Sequence, residues 1–196
     1  MKNEKLQLLA NLGYSVIPCL EDKRPLGAWK EYQTKARTMK EVSELKPALY
    51  GLVTGYNYLT CVDIDLKVLS TAKEQKEWWE EYLSFLEDNI LDFYDKFVIK
   101  KTKNKGYHIL FKSKRLTTNQ KIAKLKGHTE AIIETRGEGG MVIAYDDGIG
   151  KLDYQDIQFI SDEDREIIFQ ISKTYDYVEE KAPPVKVPKK TYDIKD

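Results

Sequence analysis

Cysteine and histidine are scarce: the 196 residues hold only Cys19, Cys61, His108 and His128. Two cysteines cannot build a disulfide framework, C-x-x-C spacing is absent, and two histidines argue against a closed structural zinc site. No apolar run approaches the roughly 20 residues that a membrane span requires. The segment from Met1 to Gly13 has the spacing of an amphipathic helix and lacks a signal peptide's apolar core, so the expectation is a cytoplasmic protein without a membrane partner. No internal repeat is present. Net charge is lacking too, since 32 Lys and Arg face 32 Asp and Glu, which at face value argues against a nucleic-acid binder. What remains is 41% hydrophobic and 33% charged, enough apolar material for a sizeable core at a length that suits one domain or one plus an appendage.

The zero total hides a strong asymmetry. Between Lys96 and Lys126 lie eleven basic residues and no acid: the two ends together with Lys100, Lys101, Lys103, Lys105, Lys112, Lys114, Arg115, Lys121 and Lys124. From Glu138 to Glu180, twelve acids face only Lys151, Arg165 and Lys173. Short charge runs are usually solvated faces. Eleven like charges without a counter-charge repel one another by several tenths of a kcal/mol per close pair, and a polyanion relieves that repulsion.

Periodicity and turn chemistry predict an α+β chain. A helix over Lys5 to Leu12 stops at Gly13, and a strand follows from Tyr14 to Cys19. Thr38-Met39-Lys40-Glu41 and Thr71-Ala72-Lys73-Glu74 have capping-box spacing. The first opens a short helix ending before Pro47. The second opens the longest one, to about Phe93, with Trp78, Tyr82, Phe85, Leu86 and Ile90 on one stripe. Three hairpins are expected. Leu52 to Thr54 would pair with Leu59 to Asp65, Phe97 to Thr102 with Gly106 to Phe111, and Ala131 to Glu134 with Met141 to Ala144. Asn119 to Lys126 reads as a basic helix, and Ser161 caps a last helix to about Thr174. Residues 1–178 are taken as the domain. Residues 179–196, with Pro183, Pro184 and Pro188 among lysines, read as a linker or tail leading to a further domain.

Val62-Asp63-Ile64-Asp65-Leu66 carries the clearest chemistry. A strand's period of two puts Asp63 and Asp65 on one face, roughly 7 Å apart. Side-by-side carboxylates repel unless a cation lies between them, and hard oxygen donors suit Mg²⁺ or Mn²⁺. Two solvated acids at a strand end are the plainer alternative. Glu134, at the end of another β run, could complete a site for two metal ions of the kind that transfers nucleotides. Arg136 shares its face and could neutralise phosphate, or simply pair with Glu134 or Glu138. His108 sits in Gly106-Tyr107-His108, with Gly106 leaving room on the same face for an anion beside the imidazole. Cys19, Cys61, Trp78 and Trp79 read as core or partial surface, and His128 as ordinary surface.

The order of these motifs resembles the bifunctional primase–polymerase N-terminal domain of the archaeo-eukaryotic primase superfamily, found in phages and plasmids. The similarity runs from about Leu8 to Ala144. It rests on Gly13-Tyr14-Ser15-Val16-Ile17-Pro18, Lys23-Arg24-Pro25 with Trp29, Gly51-Leu52-Val53-Thr54-Gly55, Val62-Asp63-Ile64-Asp65, Gly106-Tyr107-His108, and Ile133-Glu134-Thr135-Arg136-Gly137-Glu138-Gly139-Gly140. The resemblance implies an antiparallel-rich sheet like that of the RNA-recognition motif, with an N-terminal α/β unit and packed helices. It implies template-directed nucleotidyl transfer, with Asp63, Asp65 and Glu134 holding two Mg²⁺ or Mn²⁺ ions. His108 would contact the incoming nucleotide's phosphates, aided by Arg136, Lys103, Lys105 and Gly106. Lys100, Lys101, Lys112, Lys114, Arg115, Lys121 and Lys124 would follow single-stranded DNA template and primer. A helicase or priming domain often lies C-terminal in relatives. Two departures stand out: Asn104-Lys105 replaces the usual Ser-Gly before the Gly-x-His, and Tyr145-Asp146-Asp147 replaces the usual Pro-Pro-Ser. A non-catalytic binding module on the same fold, or a replication-initiator nuclease, are the rival readings. The second would need paired metal-binding histidines and a nucleophilic tyrosine.

Overall fold

A computed structural model describes residues 2–178, so the expected linker over 179–196 lies outside the described residues. The chain is α+β, with two antiparallel sheets and several helices. The smaller sheet has the order β1 (Val16–Cys19), β2 (Leu49–Val53), β8 (Met141–Ile143). The larger has six strands in the order β6 (Gln120–Lys124), β7 (Ala131–Arg136), β3 (Leu59–Ile64), β5 (Tyr107–Lys112), β4 (Val98–Lys101), β9 (Gly148–Ile149). Among the described residues no helix is long and apolar enough to cross a membrane.

Strand alternation explains why the large sheet is covered on both sides. Val62, Ile64, Ile109, Phe111 and Ile133 point to one face, where α3 (Ala72–Asn89) and α5 (Asp162–Thr174) bury them with Tyr82, Leu86, Ile168 and Phe169. Leu59, Cys61 and Leu110 point to the other face and meet α1 (Lys2–Asn11), Tyr14, Leu52 and Tyr154. β3 and β5 therefore read as nearly unbroken apolar runs, as doubly covered strands do. Both capping boxes form: Thr38 and Glu41 cap α2 (Met39–Glu44), and Thr71 and Glu74 cap α3. Ser161 accepts from the Asp164 amide at the start of α5, at 3.0 Å.

Three expectations are corrected. Gln120 to Lys124 is an edge strand, not a helix, because its backbone finds partners on β7. The Thr135 hydroxyl ties the two together, accepting from Gln120 N at 3.0 Å and donating to Thr118 O at 2.9 Å. Such tertiary pairing outweighs helix propensity. Of the three hairpins, only β4–β5 exists. β2 and β3 lie in different sheets, as do β7 and β8. The segments at Gly55 and at Gly137 to Gly140 are crossovers packed against each other. A Cβ on Gly55 would lie 2.7 Å from the Glu138 Cα, and one on Gly140 would lie 2.7 Å from the Thr54 hydroxyl. Without Cβ atoms the two crossovers can touch and seat one sheet against the other.

The long helix also turns differently from the expected stripe. It ends at Asn89, before the short α4 (Phe93–Lys96), and buries Trp79, Tyr82 and Leu86. Phe85 stays 47% exposed, and Trp78 is only partly covered. Leu86→Ala should therefore destabilise the fold by about 2–5 kcal/mol, and Phe85→Ala by less than about 1 kcal/mol. Urea unfolding of the two variants checks the contrast, and equal losses would contradict the helix orientation.

Candidate active site

The antiparallel registers put four strands' residues in one line. Glu134 on β7 lies opposite Asp63 on β3, Asp63 opposite His108 on β5, and His108 opposite Lys100 on β4. Lys121 on β6 extends the line beyond Glu134. Directly opposed residues share a face, so these side chains stand in a row at the polar end of the face that carries Leu59, Cys61 and Leu110. Arg136, two residues beyond Glu134, shares that face and turns back along it. Its Nε donates to Asp63 Oδ2 at 3.2 Å, and its Nη2 donates to Glu134 Oε2. Burial opposes its charge, but Asp63 and Glu134 outweigh burial and hold its pKa above the ordinary value.

Asp65 follows the end of β3 and caps the next turn through the Lys67 amide. Its carboxylate pairs with Lys67 Nζ at 3.0 Å, and the same ammonium lies 3.4 Å from Glu130. Asp63, Asp65, His108 and Arg136 line a cleft of about 230 Å³, together with Lys23, Lys67 and Tyr145. Glu134, bonded to the Arg136 guanidinium, is not part of the lining. The ring centroids of Tyr145 and His108 are 5.4 Å apart.

His108 is buried, with Nε2 3.6 Å from Asp63 Oδ1 and no partner for Nδ1 among the described residues. Burial lowers its pKa, and Lys23 and Arg136 lower it further against the opposing pull of Asp63. The imidazole is thus neutral at neutral pH, with a buried polar nitrogen still to satisfy, which suits a group meant to meet a ligand.

The carboxylates are hard oxygen donors on rigid backbone and fit a divalent cation in chemical type. Their charge is balanced by the protein's own cations, Arg136 between Asp63 and Glu134 and Lys67 on Asp65. Among the described residues no three His, Cys, Asp or Glu side chains converge as a ligand sphere. A cation held by these carboxylates would compete for them with Arg136 and Lys67.

Two sequence expectations change. Gly106 does not leave room for a ligand, because a Cβ there would lie 2.0 Å from the Ile64 carbonyl oxygen. The glycine allows the β4–β5 turn to press on the end of β3, just before Asp65. Lys100, expected on a DNA path, is 3% exposed. Its Nζ lies 2.6 Å from Asp153 and 4.9 Å from the Tyr154 ring centroid. Lys101, Lys103, Lys105, Lys114, Arg115, Lys121 and Lys124 are exposed, whereas Lys112 is half-buried beside the Tyr14 and Phe159 rings. Lys23, Lys67 and Tyr145 reach the cleft unanticipated. Lys67 had a local signal, two residues after Asp65, whereas Lys23 and Tyr145 arrive through tertiary packing alone.

The site is thus an acid–imidazole–guanidinium row on an antiparallel sheet, beside exposed lysines on the β4–β5 turn. The chain belongs to the family of the bifunctional DNA primase/polymerase N-terminal domain, whose model matches residues 5–158. Its function is accordingly of the DNA primase/polymerase type, in DNA replication, with DNA and nucleotides as substrates. No curated protein matches the chain.

The buried ion pair separates the two neighbouring lysines of β4. Lys100→Met should cost about 1–2 kcal/mol, less than a fully buried pair because Asp153 is half-exposed, and leave affinity for single-stranded DNA unchanged. Lys101→Met should leave stability unchanged and weaken that affinity, as a lost phosphate contact does. Thermal unfolding and fluorescence anisotropy with a labelled oligonucleotide read both effects.

Proposed function

We propose that the domain is a metal-dependent nucleotidyltransferase that extends a primer on single-stranded DNA in the replication of a phage or other mobile element. The observation that carries the reading is the in-register row of Glu134, Asp63 and His108, with Asp65 and Arg136 beside it on one cleft. Asp63, Asp65 and Glu134 would hold two Mg²⁺ or Mn²⁺ ions. Such ions, when bound, activate the attacking hydroxyl and offset charge on the phosphoryl oxygens and the leaving pyrophosphate.

The remaining work falls to the chain's own residues. Neutral His108 can donate one hydrogen bond to a phosphate oxygen without adding charge beside the carboxylates. Arg136 and Lys67 are the cations that change partner in this reading: released from the carboxylates, they are positioned to take up triphosphate charge. Lys103 and Lys105 on the β4–β5 turn, and Lys23 across the cleft, are the further cations for the triphosphate. Lys101, Lys112, Lys114, Arg115, Lys121 and Lys124 form the path for template and primer, with Lys100 left out. A helicase or priming domain C-terminal in a longer parent protein belongs to the same proposal, supported by the Pro- and Lys-rich composition of 179–196.

A binding module without catalysis has one observation in its favour, the Arg136 clamp on Asp63 and Glu134. The experiment that separates the two is nucleotide incorporation on a primed single-stranded template with Mn²⁺. The wild-type chain should extend the primer. Asp63→Asn with Asp65→Asn should lower the rate by about a thousandfold or more, a loss of the size expected when transition-state charge stabilisation is removed, with circular dichroism unchanged. Full incorporation by the double variant would refute the assignment, and salt-sensitive binding without extension by the wild type would favour the binding module.

A further inference from the structure

On the far side of the large sheet from the row, α5 and the segment leading into β6 enclose a second groove of about 480 Å³. Its cations are Arg115, Arg165 and Lys173, and its one acid is Glu166, which accepts from Gln170 at 3.3 Å. Arg165 and Lys173 come from the otherwise acid-rich C-terminal segment. Eight residues apart on α5, they lie on one side of the helix about 12 Å from each other.

Arg165 is only 9% exposed, with its guanidinium carbon 4.5 Å from the Phe169 ring centroid. Its Nε is buried without a partner, and no carboxylate forms an ion pair with Arg165 or Arg115 among the described residues. Burial and then the nearby Arg115 push its pKa below the ordinary arginine value, against the weaker opposing pull of Glu166 and Asp162, although a guanidinium keeps its charge under all ordinary conditions. A largely buried guanidinium near a second one, with an unused Nε donor and no carboxylate bonded to it, favours an anion that completes it. Arg115 is fixed opposite by the segment's own bonds: Ser113 Oγ donates to Arg115 O at 3.0 Å, and Thr117 O accepts from Glu138 N at 2.7 Å.

We propose that this groove is a phosphodiester-binding subsite for single-stranded DNA, in which Arg115, Arg165 and Lys173 hold backbone phosphates away from the catalytic cleft. The groove is larger than one phosphate needs, and it adjoins an exposed edge strand. On that strand Lys121 continues the catalytic row past Glu134, so a strand leaving the cleft crosses a lysine before it rounds the edge of β6. Planar guanidinium groups that present paired N–H donors match phosphate oxygens better than a lone ammonium does. The subsite rests on the DNA-handling reading above and extends it to a surface that performs no chemistry.

The test is anisotropy of a fluorescein-labelled oligothymidylate over a salt series, with Arg115→Gln, Arg165→Gln, their double variant, and a control of equal charge change, Lys35→Gln with Lys40→Gln. The double variant should bind about tenfold or more weakly than wild type and lower the salt slope by about 1.4, the share of two single-strand phosphate contacts. Arg115→Gln, on an exposed residue that cannot perturb the core, should lower the slope by about 0.7 alone. Primer extension by Arg165→Gln, a residue outside the template and primer path described above, should keep the wild-type turnover at saturating template with a raised KM for template. Wild-type slope and affinity in both Arg115→Gln and the double variant, or a loss no larger than the control's, would overturn the subsite while leaving the catalytic reading standing. A wild-type chain that binds the oligonucleotide through these arginines but incorporates no nucleotide would overturn the catalytic reading and keep the subsite.

Discussion

The site depends on one guanidinium. Arg136 stands between Asp63 and Glu134 and bonds to both. Without it, carboxylates on directly opposed residues of neighbouring strands would repel across a gap of about 5 Å. Everything that positions Arg136 therefore positions the site. β7 must lie beside β3, in the register that sets Asp63 against Glu134, and the Gly137 to Gly140 crossover must leave β7 immediately beyond Arg136. That crossover packs so closely on its neighbours that a Cβ at Gly137 would sit 1.8 Å from the Thr117 carbonyl oxygen.

The same row explains how a chain of zero net charge can bear a strongly charged working surface. Lysines 101, 103 and 105 crowd the turn beside the cleft, while the 32 acids that cancel the bases in the total all lie outside the Lys96 to Lys126 window, 14 of them from Glu138 onward. Some of the positive window is spent internally. Lys96 pairs with Asp164 at 2.8 Å and Lys100 with Asp153 at 2.6 Å, which ties the basic segment to the acidic one. Conversely, two of the three basic residues in the acidic stretch, Arg165 and Lys173, lie beside Arg115. Charge was sorted by face in the fold, not by position along the chain.

Local rules made much of the architecture readable. Capping boxes at Thr38 and Thr71 mark true helix starts, and the apolar runs of β3 and β5 mark doubly covered strands. A strand period of two was enough to put Glu134 on the face of Arg136. Which strands become neighbours could not be read, since that depends on long-range pairing. Tight glycine segments at 55 and 137–140 look like hairpin turns in sequence, yet they carry the chain between sheets. Gln120 to Lys124 has helical composition but finds its hydrogen bonds on β7. Gly106 was legible as a special position, though its reason is backbone contact with Ile64 and not space for a ligand. Burial of Lys100 was invisible because its partner Asp153 is 53 residues away. The bare Nδ1 of His108 has no sequence signature at all.

Exchange of Arg136 for divalent cations at Asp63 and Glu134 is the step on which the functional account turns. Mn²⁺ binding, followed by electron paramagnetic resonance in the presence of a nucleoside triphosphate, measures it most directly. The account predicts saturable binding in excess of that to the triphosphate alone, lost in Asp63→Asn and weakened in Glu134→Gln. Unchanged Mn²⁺ binding in both variants would contradict it.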